Sequence, residues 1–137
     1  MTGLNDTLQI AAAGMRAQGD RLRVVAENLA NADSTASTPG GTPYRRKIVM
    51  FQNVLDKQLG VDTVKVVKRT YDTSPFIKKY DPSHPAADAQ GYVLYPNVNP
   101  IVEMMDMREA RRGYEANLDM VTISKSMLSQ TIALLQK

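Results

Sequence analysis

The chain has 137 residues, 43% of them hydrophobic and 23% charged, a composition typical of one ordered domain rather than of a disordered chain. It contains no cysteine, which excludes disulfides and thiolate-bound zinc. The net charge is +3, and its excess lies in residues 36–96, which carry nine basic and five acidic side chains. Most of these basic residues are scattered among strand-like segments, so a solvated face is favoured over a nucleic-acid-binding surface.

Neither a membrane-spanning segment nor a cleavable signal peptide is expected. The sequence has no run of about 18 apolar residues, the minimum for a transmembrane helix. The stretch MTGLNDTLQIAAAG lacks the basic region and the continuous apolar region of a signal peptide.

The first third of the chain, residues 1–35, is predicted to be one amphipathic helix. Apolar residues recur at alternating intervals of four and three, which is the spacing of a coiled-coil seam. Gln18 occupies the one polar position of this seam. We expect the helix to end near Asn31 in a left-handed cap, followed by a loop of small and polar residues. The predicted N-terminal seam consists of Leu4, Leu8, Ala11, Met15, Leu22, Val25 and Leu29.

The middle of the chain, residues 36–96, is predicted to be a small antiparallel β unit between two long helices. Four short segments, YRRKIVMF, VDTVKVVKRTY, PFIKKY and GYVLY, are rich in β-branched and aromatic residues and are bounded by turn-forming residues. The segment 52–59 fits either a strand or one or two helical turns.

The stretch DPSHPAADAQGYVLYPNVNP, residues 81–100, contains the only histidine and four of the seven prolines. Asp81, His84 and Asp88 could in principle hold a metal or act as acids and bases. They offer only one nitrogen ligand, however, and no nucleophile partner for His84 is recognisable. Prolines fix φ and favour extended conformations in the residues before them. We therefore predict a stiff, extended connector with no metal, cofactor or catalytic residue.

The last third, residues 97–137, is predicted to be a second and longer helix. Asn99 followed by Pro100 is a typical helix start. Further apolar residues, several of them methionines, lie outside the heptad seam, so this helix is apolar on more than one face. We expect 1–35 and 97–137 to pair as one elongated coiled-coil domain that leaves an apolar face for a partner. The predicted C-terminal seam consists of Met107, Tyr114, Leu118, Val121, Leu128, Ile132 and Leu135.

Several motifs resemble the flagellar basal-body rod protein family. They are NLANADS, PYRRK, residues 81–100 and the run EMMDMREARRGYEANL, and together the resemblance covers essentially the whole chain. The first motif resembles rod and hook proteins generally, and the later ones resemble the proximal rod member. The residues that match the family are Asn28, Leu29, Ala30, Asn31, Tyr44, Arg45, Asp81, Pro82, His84, Pro85, Gly91, Tyr92, Pro96, Asn97, Asn99, Glu115, Ala116 and Asn117.

The resemblance implies a structural, non-enzymatic subunit that assembles into the proximal rod around the flagellar export channel. Its implied partners are other copies of itself, related rod proteins and the flagellar type III export apparatus, with no nucleic acid. The implied location is the basal body in the periplasmic space, reached without signal-peptide cleavage. We expect the terminal helices to gain order on assembly. The residues alone leave one alternative open, a soluble coiled-coil adaptor or regulator that binds partner helices without polymerising.

Overall fold

The computed structural model describes residues 2–56 and 60–136 of the chain. Two long helices flank four β-strands, so the predicted mainly helical fold with a small antiparallel β unit is confirmed. The elements in chain order are α1 (Thr2–Ala30), β1 (Lys47–Asp56), β2 (Val61–Tyr71), β3 (Ile77–Tyr80), β4 (Tyr92–Tyr95) and α2 (Pro100–Leu135). Within the described residues, no helix has both the length and the apolar character that crossing a membrane requires.

The two helices pack against each other in an antiparallel arrangement. Their 29 and 36 residues correspond to lengths of about 43 and 54 Å. Asn28 near the end of α1 contacts Glu103 in the first turn of α2, and Gly14 lies against Asn117. Continuing this register leaves the last turn or two of α2 beyond the start of α1.

Small residues form the centre of the helix contact. A Cβ atom added to Gly14 would lie 2.7 Å from Nδ2 of Asn117, so a larger residue there would require the Asn117 side chain to move. Gly113 on α2 lies against the side chain of Gln18, whose buried Oε1 has no hydrogen-bond partner within the part of the chain that the structure describes. The helix faces therefore meet along small and polar residues, and the larger apolar side chains lie at the flanks.

This contact differs from the predicted seam. Ala11 and Val25 of the N-terminal seam are buried, and the rest of that seam is half-buried: Leu4, Leu8, Met15, Leu22 and Leu29. In the C-terminal seam, four side chains are half-buried: Met107, Tyr114, Val121 and Leu128. The remaining three, Leu118, Ile132 and Leu135, are exposed and not covered by α1, so their place in an assembly seam stays a prediction. The close approach of small residues shifts the contact toward Glu103, Ala110, Asn117 and Ser124.

The strands form two separate two-stranded antiparallel sheets. In the first, β1 pairs with β2 from Lys47↔Tyr71 to Asp56↔Val61, with an irregularity between Met50 and Phe51. Residues 52–56 belong to this strand and not to a helical turn, while 57–59 lie outside the described residues. In the second sheet, β3 pairs with β4.

Helix α1 lies between the β1–β2 sheet and α2. Its sheet-facing side carries the buried Ala13, Ala17 and Val24, and Asp20 forms an ion pair of 3.1 Å with Arg69 of β2. Helix α1 is thus covered on two sides. Helix α2 is covered on one side only within the described residues. This difference determines which surfaces remain available to other molecules.

The start of α2 follows the sequence signals, and the end of α1 departs from them. Asn99 caps α2 as predicted, since its side chain accepts a hydrogen bond from the N–H of Ile101 and Pro100 follows. The predicted left-handed Asn31 is wrong, because only glycines have positive φ among the described residues. Asn31 instead donates from Nδ2 to the carbonyl of Glu27 at 2.9 Å, which gives a carbonyl of the last helical turn a hydrogen-bond partner.

Candidate assembly site

A partly buried cluster of polar side chains joins the two helices to the β unit. It lies where the last turn of α1, the first residues of β1, the end of β2 and the first turn of α2 meet. We call it the polar junction, and define it as the side chains of Asn28, Tyr44, Arg46, Asp72, Asn97 and Glu103.

Asn28 is almost completely buried and uses all of its hydrogen-bonding capacity. Its Oδ1 accepts from the Tyr44 hydroxyl at 2.8 Å and from the backbone N–H of Lys47 at 3.0 Å. Its Nδ2 donates to the Lys47 carbonyl at 2.9 Å and to Oε2 of Glu103 at 3.3 Å. An asparagine amide has two donors and two acceptor sites, so none remains free. This one side chain therefore fixes α1 to β1 and to α2.

A three-carboxylate ion cluster surrounds the Arg46 guanidinium. Its Nε donates to Glu103, a carboxylate with 0% exposure. Its Nη1 lies 3.2 Å from Oδ2 of Asp72, and its Nη2 lies 3.5 Å from Oδ2 of Asp106. A buried carboxylate is tolerated only when it is paired and hydrogen-bonded, and Glu103 has both Arg46 and Asn28 as partners.

The turn after β2 is fixed by side chains from both ends of the β unit. Asn97 Oδ1 accepts from the backbone N–H of Arg46 at 2.8 Å, and its Nδ2 donates to the carbonyls of Asp72 and Ser74 at 3.0 and 3.1 Å. Arg45 Nη1 donates to the same two carbonyls at 2.7 and 3.1 Å. The approach to α2 is thereby tied to both strands of the first sheet.

The hydrogen bonds of the junction shift the pKa values of three of its groups. Burial raises the pKa of the Tyr44 hydroxyl, which keeps it a neutral donor. Burial alone would lower the pKa of Arg46, but its hydrogen bonds and charge contacts with Glu103 and Asp72 outweigh burial and raise it. Hydrogen bonds from Ser74, and then from Arg46, lower the pKa of the Asp72 carboxyl. All three shifts favour the protonation states that the junction uses at neutral pH.

The polar junction fixes the position of the helix pair relative to the β unit. Each of its carboxylates and amides is already engaged in bonds within the chain. Among the described residues, no three His, Asp or Glu side chains are close enough to hold a metal ion. What the junction provides is a fixed angle between the helix pair and the β unit.

Sequence reasoning found some of the junction and missed the rest. The motif residues Asn28, Tyr44, Arg45 and Asn97 all lie in or against it. Glu103, Arg46 and Asp72 are not among the predicted site residues. The available signal was the position of Glu103, one heptad before Ala110 in a stripe of small residues.

The connector is a folded loop, so the prediction of an extended segment is wrong for residues 81–91. The chain makes successive turns there and closes the β3–β4 hairpin, with the N–H of Asp81 bonded to the carbonyl of Gly91 at 2.9 Å. Gly91 has φ +87°, and a Cβ there would lie 2.9 Å from the Tyr80 ring. Two exposed prolines interrupt the loop without keeping it straight: Pro82 and Pro85. Turn-forming hydrogen bonds prevail over the local preference of X-Pro for extended backbone.

The three candidate reactive groups of the connector bond to the loop itself. Asp81 accepts from the Ser83 hydroxyl at 2.8 Å, and Asp88 accepts from the N–H of Tyr92 at 2.9 Å. His84 Nδ1 accepts from the N–H of Ala86 at 3.0 Å, and its ring lies edge-on to Tyr95. These contacts shape the hairpin and support a structural role for the motif. Pro96, at the end of the hairpin, is buried.

The exposed side of α2 carries a second feature suited to assembly, a stripe of large apolar residues. Successive members lie three, four and seven residues apart, the spacing of a heptad seam with one position skipped. Their exposed fractions range from 44% to 72%. We call this the outer stripe, and define it as Met120, Ile123, Met127 and Leu134. The motif residues Glu115 and Ala116 are exposed just before it, whereas Asn117 faces α1.

Comparison with known proteins identifies the family. A model for the flagellar basal body rod FlgEFG protein C-terminal family matches residues 89–134. The flagellar basal-body rod protein FlgC of Agrobacterium fabrum is 48% identical over 136 residues, which cover 99% of this chain and 98% of the relative. The FlgC proteins of Borreliella burgdorferi and Salmonella typhimurium are 40% and 42% identical, over 98% and 96% of this chain and 99% and 97% of theirs.

The chain belongs to the FlgC family of flagellar basal-body rod proteins. The matched C-terminal region begins in the β3–β4 hairpin loop and includes almost all of α2. The FlgC relatives also cover α1 and the first sheet, so the polar junction lies wholly within the shared length.

Proposed function

We propose that this chain is a structural subunit of the bacterial flagellar basal body that assembles into the proximal rod, the drive shaft around the export channel. Membership of the FlgC family supports this role. The structural observation that carries it is the outer stripe of α2. A heptad stripe of large apolar residues is exposed on a helix that one neighbour covers on one side only. Exposed apolar patches of this kind mark interaction surfaces.

The partners we propose are other copies of this chain and related rod proteins. Helices α1 and α2 would line the tube, with the outer stripe packed against helices of neighbouring subunits. The methionines of the stripe suit contacts with non-identical neighbours, because their unbranched side chains adapt to different surfaces. The β unit would supply lateral contacts at a fixed angle, which the polar junction maintains.

We propose a role without catalysis or a bound cofactor. The only histidine and the carboxylates of the junction and connector form hydrogen bonds that shape the fold. No nucleic-acid partner is proposed, because the basic side chains Arg46 and Lys47 are paired with carboxylates.

We further propose that the flagellar type III apparatus exports the chain without signal-peptide cleavage, and that the rod lies in the periplasmic space. The absence of cysteine is compatible with passage through a narrow channel in an unfolded form. N-terminal sequencing of the chain recovered from basal bodies tests the first statement, and an N-terminus trimmed by a leader peptidase would contradict it.

The function is tested with a glutamate at Leu22, which is half-buried on α1. A charge without a partner there is costly. In a strain that lacks its own copy of the gene, we expect Leu22→Glu to abolish motility and incorporation into purified basal bodies, while the exported chain remains detectable. The matched control is Ala26→Glu, at an exposed position one turn away, which should restore motility. Normal motility with Leu22→Glu would contradict the proposal. A stable soluble complex that never polymerises would favour the adaptor.

A further inference from the structure

The exposed side of α2 carries a row of side chains that begins well before the outer stripe. From Ile101 the row proceeds in steps of four, three, four, three, four and four residues to Ile123, so its members share one face of the helix. All of them are exposed. Apolar side chains stand at both ends of the row and four charged ones in its middle. The members are Ile101, Met105, Arg108, Arg112, Glu115, Asp119 and Ile123.

The four charges of the row are largely uncompensated within the chain. In the part of the chain that the structure describes, Arg108, Arg112 and Asp119 form no ion pair. Glu115 is paired with Arg111 at 3.6 Å, but the two side chains are 64% and 74% exposed. Ion pairs this exposed contribute little to stability. The four charges therefore remain available to a partner molecule.

The order of the charges indicates which partner fits. Two basic residues are followed by two acidic ones, so the row is complementary to its own reverse. A two-fold axis midway between residues 113 and 114 would place Arg108 opposite Asp119 of a second copy. The same axis would place Arg112 opposite Glu115. Charge complementarity of this kind determines the orientation and the choice of partner. The matching surface is α2 of a second copy in the antiparallel direction.

The same axis brings the apolar ends of the row together. Met104 would lie opposite Ile123, and their exposed fractions are 59% and 52%. Met105, 66% exposed, would lie beside this pair, and Ile101, 70% exposed, would lie near Met127 of the outer stripe. The overlap from 101 to 127 is about 39 Å long, at about 1.5 Å per residue. Burial of these apolar side chains would supply the attraction.

Other pairings of the row match less well. An in-register parallel pair would place each charge against the same charge of the second copy, which is repulsive. A parallel pair shifted by seven residues would join basic to acidic residues, but it would place Ile101 and Met105 against Arg108 and Arg112. Of these three arrangements, the antiparallel one satisfies both the charged and the apolar parts. Because it is isologous, it closes as a dimer.

We propose that α2 pairs in the antiparallel direction with α2 of a second copy, in a dimer that covers Ile123 and Met127 of the outer stripe before assembly. The two chains point in opposite directions, so the dimer must dissociate before its copies enter a tube built from head-to-tail contacts. This masking role rests on the proposed function, whereas the dimer itself does not. A single helix pair is smaller than a standard interface, so we expect a dissociation constant of about 10–100 μM and a monomer well below it.

Charge reversal tests the pairing in sedimentation experiments on the purified chain. We expect Arg108→Asp and Asp119→Arg each to raise the dissociation constant about tenfold. Each substitution acts twice in a two-fold dimer and turns an attraction into a repulsion. An equimolar mixture of the two variants should recover the parent affinity to within about threefold, because every reversed charge then faces an opposite one. The control Lys125→Asp, exposed on α2 but off the row, should change the constant less than about twofold. A mixture no tighter than the single variants would overturn the proposal.

Engineered cysteines test the direction of the pairing, because the chain has none of its own. Chains with Met105→Cys are mixed with chains with Ile123→Cys at about 100 μM, above the expected dissociation constant. Mild oxidation should then link the two variants. Neither variant should link to itself, because two copies of the same cysteine lie about 25 Å apart along an antiparallel pair, beyond disulfide range. Links within either variant alone, or none in the mixture, would overturn the antiparallel arrangement.

Electron microscopy separates this proposal from the proposed function. A chain that carries both cysteines should polymerise when reduced and stay dimeric when oxidised, which would support both. Oxidised dimers that polymerise as readily as the reduced chain would overturn the masking role. Polymers of the parent chain, without 105–123 disulfides in the cysteine variants, would overturn the dimer and leave the rod assignment standing. Disulfide-linked dimers without polymers of the parent chain would support the dimer and count against rod assembly. Absence of both would overturn both.

Discussion

The two ends of α2 differ in how completely their side chains find partners within one chain. At the first turn, Glu103 is fully buried and is bonded to Arg46 and Asn28. In the second half, Met127 and Leu134 are 49% and 72% exposed, and the last turns extend beyond α1. The first end is completed by the chain itself. The second half of α2 has exposed apolar side chains that neighbouring subunits could cover. One helix therefore combines a fixed position in the subunit with a surface for assembly.

The largest effect on the stability of the isolated chain is expected from Arg46→Met, which removes the cation beside Glu103. Breaking a buried ion pair by removing one partner costs about 3–5 kcal/mol, because the other charge remains buried. Chemical denaturation of the purified chain measures the loss. The control Arg111→Met acts on a side chain 74% exposed and should change stability by less than about 0.5 kcal/mol. Equal effects of the two would mean that the junction is not the fixed end.

A smaller, pH-dependent effect is expected from Asp72. Its pKa is lowered in the folded chain by Ser74 and Arg46, so its contribution is present above the unfolded pKa of about 3.9 and is lost as the pH falls through the folded value. Asp72→Asn should therefore be less stable than the parent above about pH 5, and the difference should shrink below about pH 3. Denaturation curves across this range measure it. A difference that grows on acidification would contradict the assigned contacts.

Met127→Asp should separate stability from assembly. The Met127 side chain is half exposed on the outer stripe, so the isolated chain should change by less than about 0.5 kcal/mol. Incorporation into basal bodies should be lost, because the charge would be buried against a neighbouring helix. Ser126→Asp, at the adjacent exposed position off the stripe, is the control and should assemble. Incorporation of Met127→Asp at the normal level would mean that the neighbouring subunit does not pack on the outer stripe.

The smallest effect is expected at the connector. The His84 side chain takes part in one hydrogen bond, which its Nδ1 accepts from the N–H of Ala86, so His84→Gln should leave both stability and assembly nearly unchanged. Chelators should have no effect on either. Metal bound in a one-to-one ratio to the purified chain, measured by elemental analysis and lost with His84→Gln, would contradict the structural role of this loop.

Local signals in the sequence predicted the elements well. Asn99 and Pro100 marked the start of α2, and β-branched runs marked the strands. The observed contact face of the helices differs from the predicted one. The prediction selected the large apolar residues, whereas the helices meet where Gly14 lies against Asn117. The junction was only partly predicted, since Arg46 and Glu103 are 57 residues apart and only the fold brings them together.

The sequence predicts that both terminal segments gain order on assembly, and the contacts restrict this prediction to part of one segment. Helix α1 is covered by α2 on one side and by β2 on the other, where Asp20 pairs with Arg69. Within the part of the chain that the structure describes, residues 118–135 of α2 pack against another element on one side at most. Because helices in water depend on packing for most of their stability, we expect the assembly-dependent order to be concentrated in 118–135.

Amide hydrogen exchange on the isolated chain and on assembled rods tests this central claim most directly. We predict slow exchange in the isolated chain at the junction, in the last turns of α1 and in the first turns of α2. Exchange should be fast over 118–135 in the isolated chain and should slow strongly on assembly. Protection of 118–135 in the isolated chain equal to that of the junction, with no further gain in rods, would contradict the account.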